Sequence, residues 1–335
     1  MEKFHNAIAK IQPDLKKIDQ IILEFSVGKS PLIEEIANHL ISSGGKRIRP
    51  VILILASKLC GSKKDSGYNN LGAAVELIHT ATLLHDDVVD NSEIRRGKKT
   101  SNAIWDNKAS ILVGDYLFSI AFQLMVRSKS LQILDLLAKA SSTMADGEVM
   151  QLENSSDLLI PQEKYFEIIF GKTAVLFSAA AEVGALLNLR DEEEISALRD
   201  FGKNLGIIFQ IVDDMLDYSS KEDVLGKDLG NDFFEGKVTL PIILTYQKAD
   251  QKDQKFIAEI FAKNLMTPEK NQQDFAEILS LIERYQGLEA CKQKALEYQN
   301  KAMKNLEIFF DKNSCDLSAK EDLITILQYC LARIS

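Results

Sequence analysis

Two stretches far apart in the chain place carboxylates in helical register on segments that are otherwise apolar. In Ala73–Gly97, the residues His79, Thr82, Asp86 and Asp90 fall at i, i+3, i+7 and i+11, one face of an α-helix. Ala74, Leu77, Ile78, Ala81, Leu84 and Val88 surround that stripe with apolar surface. In Phe201–Tyr218, Gly206, Gln210, Asp213 and Asp217 take i, i+4, i+7 and i+11 among Ile207, Ile208, Ile211, Val212 and Leu216. Burying either helix strips water from carboxylates one turn apart, and each raises the pKa of its neighbour. A single DDxxD is more simply a solvated acidic turn near a helix end. Two copies on strongly apolar helices, each followed by a basic loop, call for a different reading: Asp86-Asp87-Asp90 faces Asp213-Asp214-Asp217 across a site that holds a cation. An all-oxygen donor set suits Mg²⁺, which takes one or two carboxylates and completes its octahedron with water and phosphate oxygens.

The rest of the pattern is helical throughout. Ser30-Pro31, Arg49-Pro50 and Thr267-Pro268 each precede a 3.6-period run, as proline at a helix start does, and Gly44-Gly45 and Gly61 follow such runs. Strand-like alternation bounded by hairpin turns is absent. Helices are expected near 4–26, 31–42, 50–60, 70–92, 101–107, 110–127, 130–153, 161–170, 172–188, 191–219, 238–248, 252–264, 268–284, 287–312 and 318–333. The expected fold is all-α, and with no repeat or Pro/Gly-rich linker the 335 residues read as one domain. The helices from Leu71 to about Met150 and from Lys172 to Tyr218 are too apolar for a surface and form the centre of a bundle; the C-terminal third reads as an outer layer. A net charge of −9 argues against general nucleic-acid binding. Cys60, Cys291, Cys315 and Cys330 are scattered without a CxxC, which fits reduced thiols in a cytoplasmic protein. The mixed-charge N-terminus predicts no signal peptide, and the lack of an 18-residue uncharged apolar run predicts no transmembrane span.

Four basic clusters interrupt this acidic chain. Gly44–Pro50 is a glycine-opened loop leading into a helix, so backbone N–H groups and the cations Lys46, Arg47 and Arg49 converge where an anion would bind. Arg95-Arg96-Gly97-Lys98-Lys99 follows the first aspartate cluster, Lys172-Thr173 opens an apolar helix, and Lys227 and Lys237 sit in a glycine-bearing loop after the second cluster. Gly171-Lys172-Thr173 is not a nucleotide-binding P-loop, because GxxxxGK[ST] needs glycine at 166, where Phe166 stands. Metal-caging carboxylates, cations for more than one diphosphate and apolar helix walls together describe a site for greasy diphosphates. His79, on the Asp86 face, reads equally as a core histidine or a diphosphate contact.

Leu83–Gly97 (LLHDDVVDNSEIRRG), Gly44–Pro50 (GGKRIRP), Gly114–Phe118 (GDYLF), Gly147–Leu152 (GEVMQL), Gly171–Ala174 (GKTA), Phe209–Asp217 (FQIVDDMLD) and Gly226–Pro241 (GKDLGNDFFEGKVTLP) resemble the motifs of the trans-isoprenyl diphosphate synthases, in family order. The resemblance is nearest to bacterial long-chain, octaprenyl-type synthases and covers about residues 30–250. It implies the isoprenoid-synthase bundle around a central cavity, a homodimer, and about three Mg²⁺ per active site. Asp86, Asp90 and Asp213 match its metal ligands, with Asp217 also counted among them and Asp87 and Asp214 in support. Arg95, Lys172, Thr173, Gln210, Lys227 and Lys237 match the positions that hold the allylic diphosphate, and Lys46, Arg49, His79 and Arg96 those that hold isopentenyl diphosphate. Gly230-Asn231-Asp232 stands where relatives often carry two aspartates, which leaves a metal role for that loop in doubt.

The implied chemistry is loss of diphosphate from the allylic substrate, attack by isopentenyl diphosphate on the sheltered cation, and loss of a proton. Gln210 and Thr173 face the cation. Small residues one turn below Asp86, Ala81 and Thr82, leave a tunnel open that runs roughly 30 Å along a ~20-residue helix. Phe118, Phe122 and Met125 are candidates for its floor, or for ordinary core packing. The expected product is near C40, destined for a quinone side chain, with transient membrane contact for its release. A shorter-chain synthase, a class I terpene cyclase and a non-catalytic synthase subunit are the rival readings. Both aspartate clusters being intact argues against the last, and Lys46, Arg49 and Arg96 argue against the cyclase.

Overall fold

Apolar residues on every side of a helix leave it nowhere to go but the interior, and this places two helices at the middle of the molecule. The computed structural model describes residues 1–26, 30–42, 44–62, 67–95, 97–219, 229–266, 271–309 and 315–334. In chain order the elements are α1 (Glu2–Ser26), α2 (Pro31–Ser42), α3 (Ile48–Leu59), α4 (Tyr68–Val89), β1 (Ile94–Arg95), β2 (Lys98–Lys99), α5 (Ser101–Ile104), α6 (Asn107–Arg127), α7 (Leu131–Glu153), α8 (Gln162–Ile169), a π-helical turn (Phe170–Ala174), α9 (Val175–Leu186) and α10 (Glu192–Asp217). Then follow α11 (Asn231–Phe234), α12 (Leu240–Lys248), α13 (Gln251–Met266), α14 (Gln272–Arg284), α15 (Gly287–Asn305), a 3₁₀ turn (Glu307–Phe309) and α16 (Leu317–Ala332). In α3 every residue but Lys58 is buried, and in α9 every residue but Val175. Around this pair, α4 packs on α3 and α6, and α10 on α9 and α15.

Several helix starts are written locally. Asp106, Ser130, Asp191, Asn271 and Asp316 each accept a backbone N–H of the first turn of α6, α7, α10, α14 and α16. Close approach in the interior is set by glycine at two crossings. A Cβ on Gly147 of α7 would lie 2.4 Å from the Lys172 backbone nitrogen, and one on Gly206 of α10 would lie 2.5 Å from Ala174 Cα. Both crossings press on the π turn, and so fix where Lys172 and Thr173 stand.

The observed elements depart from expectation in several places. A two-residue antiparallel ladder pairs Ile94 with Lys99 and Arg95 with Lys98, too short to show alternation in sequence. The helix expected over 172–188 begins as a π turn, a wider backbone that recurs at functional sites. The C-terminal helix is no outer layer: α16 buries Leu323, Ile326, Leu327 and Cys330 against the core. Last, Asn107–Arg127 and the run Gln162–Leu186, though interrupted by charges, are long and apolar enough to cross a membrane. The second is 89% buried inside the fold and the first 50%. All four cysteines are free thiols.

Candidate active site

The last turns of α4 and α10, the π turn, the end of α7 and the start of α3 converge on one cavity of about 740 Å³. Lys46, Arg49, His79, Thr82, Asp86, Asp90, Arg95, Lys172, Thr173, Gln210, Asp213, Asp214, Asp217 and Lys237 all line it. Residues 120 and more apart in sequence are thus brought together, Asp86 and Asp213 among them. Met144, Ile160, Ile168, Ile169, Phe209 and Leu216 supply apolar wall. Asp87 is buried and absent from the lining; Arg96 and Lys227 lie outside the described residues.

The acidic side of the cavity is dense enough to shift its own protonation. Burial, then the neighbouring Glu148 carboxylate, push Asp86 up to about 7, with Lys172 and Arg95 working the other way. Cations are drawn to the other carboxylates. Lys237 Nζ stands 3.1 Å from Asp90 and 2.7 Å from Glu235, and Arg333 Nη2 donates to Asp213 over 3.2 Å. Arg95 Nε donates to Asp87 over 2.7 Å, while Lys172 Nζ donates to Glu148 (2.8 Å) and Gln151 (2.7 Å). Although burial opposes it, the charge of Lys237 is held by Asp90 and Glu235, which raise its pKa.

Not every aspartate of the two clusters is equally placed. Asp217, one oxygen to each, accepts the backbone N–H groups of Asn231 and Asp232, and so ties α11 to the end of α10. Asp214 is fully enclosed and accepts from the Tyr165 hydroxyl (2.6 Å) and the Gln210 side-chain amide (2.7 Å). Burial foremost, then Asp232, raise its pKa well above the ordinary carboxylate value. Gln210 in turn accepts from the Thr173 hydroxyl over 2.7 Å. At the start of α3, Arg49 is buried with its guanidinium 4.5 Å from the Phe177 ring centre, and Lys46 lies 4.8 Å from that of Tyr329 on α16. Arg47 instead turns to Glu76 and Asp19, a structural ion pair.

The residues considered for product length separate. Thr82 lines the cavity, whereas Ala81 and Met125 are fully buried away from its lining. Phe118 and Phe122 touch one another, ring centres 5.9 Å apart, and Phe122 is 40% exposed on the outside of α6.

Glu148, Tyr165 and Arg333 are cavity residues that spacing did not single out. Glu148 and Gln151 lie within GEVMQL, one helical turn apart, a polar stripe that could have been read. Tyr165 stands two turns before Lys172 in an unremarkable amphipathic helix, and Arg333 arrives from the chain's end, where no local pattern marks it.

A bundle whose two acidic helices, lysines and arginines enclose one partly apolar cavity is the architecture of an isoprenyl diphosphate synthase. The chain belongs to the polyprenyl synthetase family, whose model matches residues 30–282, and it is a prenyltransferase. The octaprenyl diphosphate synthase of Haemophilus influenzae is 39% identical over 298 residues, 88% of each chain. A decaprenyl diphosphate synthase from Rhodobacter capsulatus superposes with a TM-score of 0.91 at 38% identity, covering 99% of both chains. A polyprenyl synthase from Caulobacter crescentus, solved with calcium and isoprenyl diphosphate, does so with a TM-score of 0.91 at 39% identity over 99% of this chain and 98% of that one.

Proposed function

We propose that this prenyltransferase extends an allylic prenyl diphosphate with successive isopentenyl diphosphates to an all-trans product of roughly C40, a length set by a tunnel along α4. The observation that carries the reading is the cavity in which carboxylates of both DDxxD clusters, cations and apolar wall meet. Relatives named for octaprenyl and decaprenyl products support a long chain.

Asp86, Asp90, Asp213 and Asp217 are the residues to hold divalent cations, and their oxygen-only chemistry fits Mg²⁺. Bound there, the metal supplies positive charge to the leaving diphosphate. Arg95, Lys172, Lys227 and Lys237 hold that diphosphate, and Lys46, Arg49, His79 and Arg96 hold isopentenyl diphosphate. The Gln210 carbonyl oxygen, with the Thr173 hydroxyl on it, presents negative charge to the allylic cation formed when the C–O bond breaks. Ile168, Ile169 and Phe209 keep water from that cation. The double bond of isopentenyl diphosphate attacks it, and the released diphosphate takes the proton.

The same reading includes a cytoplasmic homodimer, a quinone side chain as the product's use and brief membrane contact as the product leaves. Dimer formation is supported by α6, where Ile111, Leu112 (67% exposed), Phe122 and Val126 (60% exposed) share one outward face.

Incubation with Mg²⁺, farnesyl diphosphate and isopentenyl diphosphate, followed by product sizing, tests the proposal. The expected result is a ladder ending near C40 that EDTA abolishes and added Mg²⁺ restores. A C15 or C20 end-product would overturn the length, and no condensation would overturn the activity.

A further inference from the structure

The site assigns one electrostatic task to an amide, and an amide has two ends. Gln210 helps the reaction only if its carbonyl oxygen, not its NH₂, looks toward the developing cation. Something must therefore prevent the side chain from rotating by half a turn about its last bond, a torsion with two comparable minima.

The chain Thr173–Gln210–Asp214–Tyr165 does this. The Gln210 Nε2 donates to Asp214 Oδ1 over 2.7 Å, and its Oε1 accepts from the Thr173 hydroxyl over 2.7 Å. Thr173 can serve either end, since a hydroxyl both donates and accepts. Orientation therefore comes from the Asp214 end, where an acceptor demands the NH₂. Asp214 can hold that position only if its second oxygen is fixed as well. Tyr165, itself 4% exposed on α8, donates its hydroxyl proton to Asp214 Oδ2 over 2.6 Å. Its ring packs edge-on against Phe166, ring centres 5.3 Å apart, in the apolar cluster that also holds Ile168 and Ile169.

We propose that Tyr165 is a positioning residue for the condensation: by clamping Asp214 it fixes the Gln210 amide with its oxygen toward the allylic cation. The inference rests on the prenyl-transfer reading above. It assigns to α8 a role in the rate of ionisation and none in substrate capture, because Tyr165 acts only through Asp214 and Gln210. Its effect must then vanish once Gln210 is gone.

The test is a double-mutant cycle with Tyr165→Phe and Gln210→Ala, read as single-turnover rate and as KM for isopentenyl diphosphate. Tyr165→Phe alone is expected to slow turnover by about 10- to 100-fold, less than the ~10²–10³ typical of removing a direct transition-state partner, with KM nearly unchanged. In the Gln210→Ala background the same change is expected to cost less than about twofold. Tyr165→Leu, which also removes the hydroxyl but keeps apolar bulk, is expected to behave like Tyr165→Phe and serves should that variant misfold. Equal losses in both backgrounds, or a loss confined to KM, would overturn the inference while leaving prenyl transfer standing. A wild-type protein that makes no condensation product would overturn both together.

Discussion

Asp86→Ala and Asp213→Ala are each expected to lower the condensation rate by about 10³-fold or more, a loss near 4 kcal/mol of transition-state stabilisation. Asp86→Ala is not expected to cost stability. Asp86 is a half-buried carboxylate pushed up to about 7 by burial and by Glu148, with Asp90 adding to the effect. Above that pH its charge opposes folding, because the unfolded chain carries the same charge fully hydrated. Removing it relieves the repulsion, so the variant should melt in EDTA at pH 8 no lower than the wild type. Asp213 differs in having Arg333 at 3.2 Å. Its loss strands a guanidinium that is only 10% exposed, and a modest fall in melting temperature is expected there. Steady-state turnover together with a thermal melt checks both variants. Near-full activity in either would remove the aspartates from the mechanism, and a collapsed melt in Asp86→Ala would show that the carboxylate supports the fold instead.

Thr82→Phe should change what is made more than how fast the first bond forms. Thr82 lines the cavity one helical turn before Asp86, its hydroxyl donating to the Ile78 carbonyl over 3.0 Å and so adding no polar demand of its own. An aromatic ring there fills the space a growing tail must pass. The expected products stop at farnesyl or geranylgeranyl length in place of the long-chain ladder, while the first condensation on a short starter continues. Reversed-phase sizing of the dephosphorylated alcohols reads this directly. An unchanged ladder would mean that the tail leaves by another route.

What could be read from the chain, and what could not, divides along a physical line. Periodicity within one helix reports which residues share a face, and this was enough for α4 and α10, where His79, Thr82, Asp86, Gln210 and Asp213 do line one cavity. The glycines of GEVMQL and GKTA were visible as motif members; their reason is a backbone crossing in which Gly147 meets the Gly171-Lys172 peptide. Periodicity is silent on which remote helix crosses which. Tyr165 belongs to an amphipathic helix like many others, and Arg333 is a single cation at the end of α16. Each gains its place only from packing that no local pattern encodes. The same limit explains the aromatic residues of α6. An apolar residue at helical spacing is committed to burial, but not to burial in its own chain, and Phe122 lies on the outer face. The C-terminal third misled for a related reason: alternating charge and hydrophobe marks an amphipathic helix, and α16 uses its apolar face to close the core beside Lys46.

The proposed reaction depends on two acidic helix ends that hold divalent metal, and through it a diphosphate, above an apolar cavity. A crystal grown with Mn²⁺ and a non-cleavable thio-analogue of the allylic diphosphate tests it most directly, through the anomalous signal of the metal. Metal peaks between the diphosphate and the carboxylates of Asp86, Asp90 and Asp213 are the expected result. A diphosphate held by Lys172, Arg95 and Lys237 with no metal beside those aspartates would contradict it.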